Sequence, residues 1–273
     1  MPEHDTIAAT RPLPATVRSL VDDLASIGVV DGSVLIVHSS LSSLGWVCGG
    51  AVAVIEAIKI AIGRSGTVVM PTHTSDLSEP SNWCNPRVPP EWWPIIRDSM
   101  PAFDPRVTPS RAMGAIAECF RTQPNVVRSS HPHASFAAYG PLASELVSNH
   151  SIHGGLGDSS PLGRLYDHNS SILLIGVGHD RNTSLHLSEM RSFGINKPKS
   201  IETGAPMLID GKRQWIEFIE PELDESRFPQ IGKSFQDKSG LVQSGMLAQA
   251  QSMLIPQRAL VDFGTQWLMA DKT

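Results

Sequence analysis

The chain has 273 residues, of which 41% are hydrophobic and 18% charged, and its net charge is −5. That composition fits one large globular domain or two small ones; it argues against a nucleic-acid partner and leaves room for a cationic ligand. Three widely spaced cysteines with no C-x-x-C pair make no disulfide framework, and no apolar run reaches the ~18 residues of a membrane helix, so a cytoplasmic protein is expected.

Residues 1–13, with Glu3, His4, Asp5 and early prolines, lack the pattern of a secretion signal and read as a loose leader. From Thr16 to Ile27 the apolar residues Val17, Leu20, Val21, Leu24 and Ile27 recur at helical spacing, and Gly28 caps the run. Asp31-Gly32 turns the chain into a strand at Val34–Val37. A Ser/Gly-rich loop follows, from His38 to Gly50, and opens a helix at Ala51–Ile62; Thr67–Met70 is the next strand, closing a βαβ unit. Small side chains before a helix N-terminus leave backbone N–H groups free for an anion, and Ser39, Ser40, Ser42 and Ser43 add donors; the loop lacks the Gly-Lys-Ser/Thr ending of a Walker A sequence.

Pro71 to Pro109 carries nine prolines with Trp83, Trp92 and Trp93, a density that prevents long regular elements. Arg111–Arg121 reads as a helix. His131-Pro132-His133 has H-x-H spacing, but no H-E-x-x-H motif or His-Cys cluster accompanies it, so no metal is expected. No G-x-S-x-G motif supports a serine hydrolase. Leu142–Asn149 and Leu162–Tyr166 are helical.

Ile172–Val177 is a short apolar run closed by Gly176 and Gly178, a buried strand of a sheet covered on both faces. The polar run His179–Thr183 turns the chain, and Asn182 or Thr183 caps a helix on which His186 and Glu189, three apart, share a face. A carboxylate beside an imidazole fixes its tautomer, as a general base requires; the same spacing also arises as an ordinary local ion pair. A dinucleotide fingerprint fails because Arg181 stands where the third glycine belongs. Further on, Met207–Ile209 and Gln214–Ile219 flank Asp210-Gly211, a strong hairpin signal, and Glu220–Phe228 is an acidic loop. The C-terminal part, Leu247–Met269, mixes helical and β-like runs.

Taken together and in order, H-S-S-L-S-S-L-G-W-V-C-G-G at 38–50, M-P-T-H-T at 70–74, P-S-R-A-M-G-A-I-A-E at 109–118, R-S-S-H-P-H-A-S-F-A-A-Y-G at 128–140, S-P-L at 160–162 and N-T-S-L-H-L-S-E at 182–189 resemble the aminoglycoside 3-N-acetyltransferases over about residues 15–265. The resemblance implies a single α/β domain over 1–273: a mixed central sheet flanked by helices, with a small β-hairpin region, distinct from the common small acetyltransferase fold. It implies acetyl-coenzyme A as co-substrate and the 3-amino group of an aminoglycoside's 2-deoxystreptamine ring as acceptor, joined in a ternary complex. By residue it implies His186, Glu189 and Thr183 as catalytic. His38, Ser39, Ser40, Leu41, Ser42, Thr72, Ser110, Met113 and Gly114 fall on the coenzyme side and Asp158 on the acceptor side; a polycationic acceptor would want further carboxylates, for which Glu222 and Asp224 are candidates. An unrelated amine as acceptor, or a coenzyme-binding protein without activity, are the other classes, and the oligomeric state stays open.

Overall fold

The computed structural model describes residues 3–10, 13–193 and 198–270. It opens on a helix, Glu3–Ala9 (α1), where the sequence reads as a loose leader. Thr10, just behind it, is buried, and its Oγ1 accepts a hydrogen bond from Trp46 N at 2.7 Å, so the segment has a partner that its composition does not reveal. Helix α2 (Val17–Ser26) is capped by Thr16, which exchanges hydrogen bonds with Ser19 in a capping box, and the helix buries Leu20 and Leu24.

The expected βαβ unit follows: β1 (Val34–Ser39), α3 (Gly50–Ile62) and β2 (Thr67–Pro71), with β1 and β2 parallel from Val34↔Thr67 onward. The proline-rich segment forms short turns and one helix, α4 (Trp93–Ser99). The next helix, α5, runs Gly114–Arg121 and not from Arg111. Ala112 (φ 58°) is left-handed, and a right-handed helix cannot wind through it.

Strands β3 (Val127–Arg128) and β4 (Phe136–Tyr139) and helices α6 (Ala143–Val147) and α7 (Pro161–Asp167) lead to β5 (Ser171–Ile175). Helix α8 spans Ser184–Ser192. The hairpin is longer than its apolar runs: β6 (Ser200–Ile209) and β7 (Lys212–Pro221) pair over ten residues each and form a separate two-stranded sheet. Then come α9 (Phe228–Ser239), β8 (Gln243–Leu247), β9 (Ala250–Pro256) and α10 (Gln257–Ala270).

The main sheet has the order β3-β4-β2-β1-β5-β9-β8, parallel across β2-β1-β5 and antiparallel elsewhere. Alternate residues feed two cores, as the two-residue strand period requires. Leu35, Val37, Val68, Met70, Leu173 and Ile175 pack under α2, α3 and α5 on one face. On the other, Ile36, Val69, Ile172, Leu174 and Ile255 pack against α8, α9 and α10. The fold is therefore α/β with a mixed central sheet flanked by helices. Among the described residues no helix is long and apolar enough to cross a membrane.

Candidate active site

The carboxyl ends of β1, β2 and β5 meet at one edge of the sheet, where ligands of open α/β folds bind. A cavity of about 1120 Å³ opens there. Its wall takes Val37, His38 and Ser39 from β1, and Ser40, Leu41, Ser42, Gly45 and Trp46 from the loop beyond it. Gly49 and Gly50 come from the start of α3, Pro71 from β2, Ala112–Ala115 from the head of α5, and Val177, Arg181 and Thr183 from the segment after β5. More than half of these residues are Gly, Ala, Ser or Thr, with His38, Leu41, Trp46, Met113 and Arg181 as the large side chains among them. The loop is drawn tight from within: Ser40 N donates to Ile175 O (2.9 Å) and Ser43 Oγ to Ser40 O (2.7 Å), while Ser40 Oγ and Ser42 Oγ lie 3.2 Å apart. Gly176 is left-handed (φ 62°), and a Cβ there would overlap Ser43, so the turn that carries β5 past the loop requires glycine.

His38 is buried, and its Nε2 has no hydrogen-bond partner among the described residues. Burial, with the His186 charge acting in the same sense, pushes its pKa down to about 3. It is a neutral imidazole at neutral pH, with one ring nitrogen buried without a partner among the described residues.

Helix α8 begins just past the cavity. Asn182 Oδ1 accepts from Ser184 N (3.2 Å) and so caps the helix, with Thr183 at its mouth. One turn on, His186 Nδ1 lies 3.0 Å from Glu189 Oε2. The other carboxylate oxygen, Oε1, accepts the backbone N–H of Asp224 at 2.6 Å. Glu189 is buried, and the His186 ring packs edge-on against Phe228 at 4.8 Å. The ring is thus held by its Nδ1 side, its tautomer is set, and Nε2 is left with a free lone pair. His186 is not itself on the cavity wall; Thr183, one turn before it, is.

The structure sorts the other expected residues. His38, Ser39, Ser40, Leu41, Ser42, Met113 and Gly114 all line the cavity with Thr183. Thr72 and Ser110 do not, and for both the reason is a prior partner. Thr72 is fully buried, its Oγ1 accepting from Arg128 Nε (3.0 Å) beside Ser135. Ser110 gives both N–H and Oγ–H to Glu118 Oε2 (2.8 and 2.7 Å). Of the residues expected on the acceptor side, Asp158 is exposed and engaged by the Arg191 guanidinium (2.7 Å). Glu222 is exposed. The Asp224 carboxylate accepts from Ser226 N (2.9 Å) and caps the turn before α9, so it is the main chain of Asp224, not its carboxylate, that faces Glu189.

Sequence reasoning assigned no role here to three further groups. His73, next to Thr72 and hence on the opposite face of the chain, is half-buried, and burial first, then His186, His38, His131 and His150, push its pKa down to about 3. The alternation of the M-P-T-H-T run was the available signal. His133 and Glu220 face each other across the end of the hairpin, Nδ1 to Oε2 at 3.9 Å, and no local pattern announces that contact.

A family model for aminoglycoside 3-N-acetyltransferases matches residues 36–269. The SPbeta prophage-derived aminoglycoside N(3')-acetyltransferase-like protein YokD of Bacillus subtilis (strain 168) is 42% identical over 264 residues, covering 96% of each chain. Its crystal structure superposes with a TM-score of 0.95 over 98% of both chains. Aminoglycoside N(3)-acetyltransferase VIII of Streptomyces fradiae is 32% identical over 271 residues, 93% of this chain and 92% of that one. The binary complex of AAC-IIIb with CoASH is 30% identical, with a TM-score of 0.85 over 94% of this chain and 97% of that one. This chain belongs to the aminoglycoside 3-N-acetyltransferase family.

Proposed function

We propose that the chain moves the acetyl group of acetyl-coenzyme A onto the 3-amino group of the 2-deoxystreptamine ring of an aminoglycoside, with His186 as general base in a ternary complex. The observation that carries this reading is the relay from Asp224 N–H through Glu189 to His186, one helical turn beyond a Thr183 that lines the cavity. The CoASH complex of AAC-IIIb supports the donor, and the name of the Streptomyces relative supports the acceptor class.

The wall residues His38–Ser42, Gly49, Gly50, Met113 and Gly114 would hold the coenzyme, and the loop hydroxyls of Ser39, Ser40 and Ser42 suit its polar groups. When bound, the coenzyme supplies an activated thioester. An alkylamine is mostly protonated at pH 7 and must lose a proton to attack. His186 takes that proton on Nε2, while the Glu189 carboxylate stabilises the resulting imidazolium. The Thr183 hydroxyl donates to the carbonyl oxygen as charge develops on it, and as the C–N bond forms and the C–S bond breaks the coenzyme leaves as its thiol, the proton returning from the His186 imidazolium. No enzyme nucleophile is needed, and none of the three cysteines is on the wall.

Titration of the protein with acetyl-coenzyme A, followed by a thiol-release assay over a panel of amines including aminoglycosides, tests the reading. A donor at a hundredfold its Kd stabilises the fold by about 2.7 kcal/mol, seen as a rise in Tm. Absence of a Tm shift at millimolar donor, or thiol release with other amines but no aminoglycoside, would remove the donor or the acceptor half respectively.

A further inference from the structure

The hairpin leaves one of its two edges bare. Strands β6 and β7 are joined by Asp210-Gly211, both with positive φ, and pair from Ile209↔Lys212 to Ser200↔Pro221 without a break. In an antiparallel pair, facing residues alternate between those that exchange both N–H···O bonds and those whose main-chain groups point away from the partner strand. The pair beside a two-residue turn is of the first kind. Glu202, Gly204 and Pro206 of β6, and Arg213, Trp215, Glu217 and Ile219 of β7, therefore turn their main-chain groups outward. On β6 the outward carbonyls are used: Glu202 O accepts from Asn82 Nδ2 (2.8 Å), Pro206 O accepts from Phe103 N (2.9 Å), and Gly204 O lies 3.3 Å from His133 Nε2. On β7 the outward main-chain groups of these four residues have no hydrogen-bond partner among the described residues, and no third strand follows.

Such an edge is a template for another strand, and folds guard it with a short strand, a bulge or a proline. β7 is ten residues long and unbulged, and its proline, Pro221, stands last. Its charges run in one direction: Lys212 and Arg213 open the strand, and Glu217 and Glu220 lie toward its end. An antiparallel copy of the same strand reverses that order and brings cations to carboxylates. A two-fold axis at Ile216 sets Arg213 opposite Ile219 of the second copy and Trp215 opposite its Glu217, so that all four outward residues pair. The same axis sets Lys212 opposite Glu220 and Arg213 diagonal to Glu217. With the axis at Trp215 only three outward residues pair, and with the axis at Glu217 that carboxylate meets its own copy. Apolar surface lies alongside. Ile219 is 56% exposed, and Ile95 on α4 and Trp92 at its start are 62% and 52% exposed; the Arg213 guanidinium holds the end of that helix through Met100 O (2.8 Å). We infer that β7 pairs with β7 of a second copy of this chain, joining two hairpins into one four-stranded antiparallel sheet across a two-fold axis. The pairing stands apart from the acetyl-transfer reading.

Sedimentation velocity of the full chain tests it. The wild type is expected to sediment as a dimer, twice the 29.5 kDa of one chain, at micromolar concentration. Glu217→Pro removes an outward N–H and no hydrogen bond within the hairpin. Two bonds are lost across the axis, and the Kd of the dimer is expected to rise about tenfold or more. Circular dichroism reports whether that variant is folded. A second pair of variants reads the register. Facing residues of a pair that exchanges no main-chain bonds have Cβ atoms about 4.5–5.5 Å apart or closer. Ile216→Cys is therefore expected to give a disulfide-linked dimer on air oxidation, which neither the wild type, with its own three cysteines, nor Gln214→Cys gives. If Glu217→Pro fails to fold, the cross-linking pair decides alone. A monomeric wild type, a dimer as tight in folded Glu217→Pro as in the wild type, or equal cross-linking of Ile216→Cys and Gln214→Cys each overturns the pairing.

Discussion

At the scale of single residues, the proposed chemistry rests on one imidazole whose orientation is fixed from behind. Changing His186 to Ala keeps the cavity wall intact, so donor affinity stays within a few-fold of the wild type while kcat falls by about 10²–10⁴-fold, the range for a positioned general base. Glu189→Gln retains the imidazole and costs less, because only its orientation and the stabilisation of its charged form suffer. Near-normal kcat in His186→Ala, with loss in His38→Ala, would move the base to the cavity wall. The His186–Glu189 pair was legible in the sequence because a helix brings residues three apart together whatever the rest of the fold does. The facing of His133 and Glu220 was not: it joins distant segments through a sheet register that no local pattern encodes. Thr72 and Ser110 lie off the cavity wall, and their partners could not be read in advance, since a motif shows which hydroxyls are present but not which partner each has taken.

At the scale of elements, the turn after β5 is held in place by α9. Gly232 of that helix lies against the ring of His179, buried in the turn that leads to Thr183, and a Cβ at 232 would overlap the ring. Gly232→Ala therefore forces the helix or the turn to shift, a strain of about 1–3 kcal/mol by the usual cost of overpacking. Differential scanning calorimetry is expected to show Tm lowered by about 2–10 °C; an unchanged or raised Tm would mean that the helix slides without cost. The βαβ unit and the Asp210-Gly211 turn could be read in advance, because apolar runs and turn dipeptides carry their own signals. The true start of α5 and the length of the hairpin could not. The first depends on left-handed backbone at Ala112, and the second on main-chain pairing that continues into residues of alternating polarity.

At the scale of the molecule, the site is a nest of histidines kept neutral by burial, and this sets how the fold answers acid. Burial first of all holds His38, His73 and His150 at about 3 and His179 at about 4. In the unfolded chain the same groups titrate near 6.5. Between these values the unfolded state binds more protons than the native one, so the stability present above pH 6.5 is lost as pH falls, each histidine contributing up to about 1.4 kcal/mol per pH unit. Glu220 adds to this lower down: burial raises its pKa, but the facing imidazoles of His131 and His133 outweigh that and hold it at about 2, so its contribution fades as pH falls from about 4.5. Thermal melts followed by circular dichroism are expected to show Tm dropping steadily from pH 7 to pH 5, before most carboxylates titrate; a flat Tm over that range would mean that these rings are protonated in the folded protein. The brace on Glu189 has a consequence of another kind. Because it comes from the backbone amide of Asp224, every amino acid except proline preserves it. The side chain at 224 can thus change between descendants of one ancestor at the cost only of the cap it gives Ser226 N, while Glu189 and His186 keep their geometry.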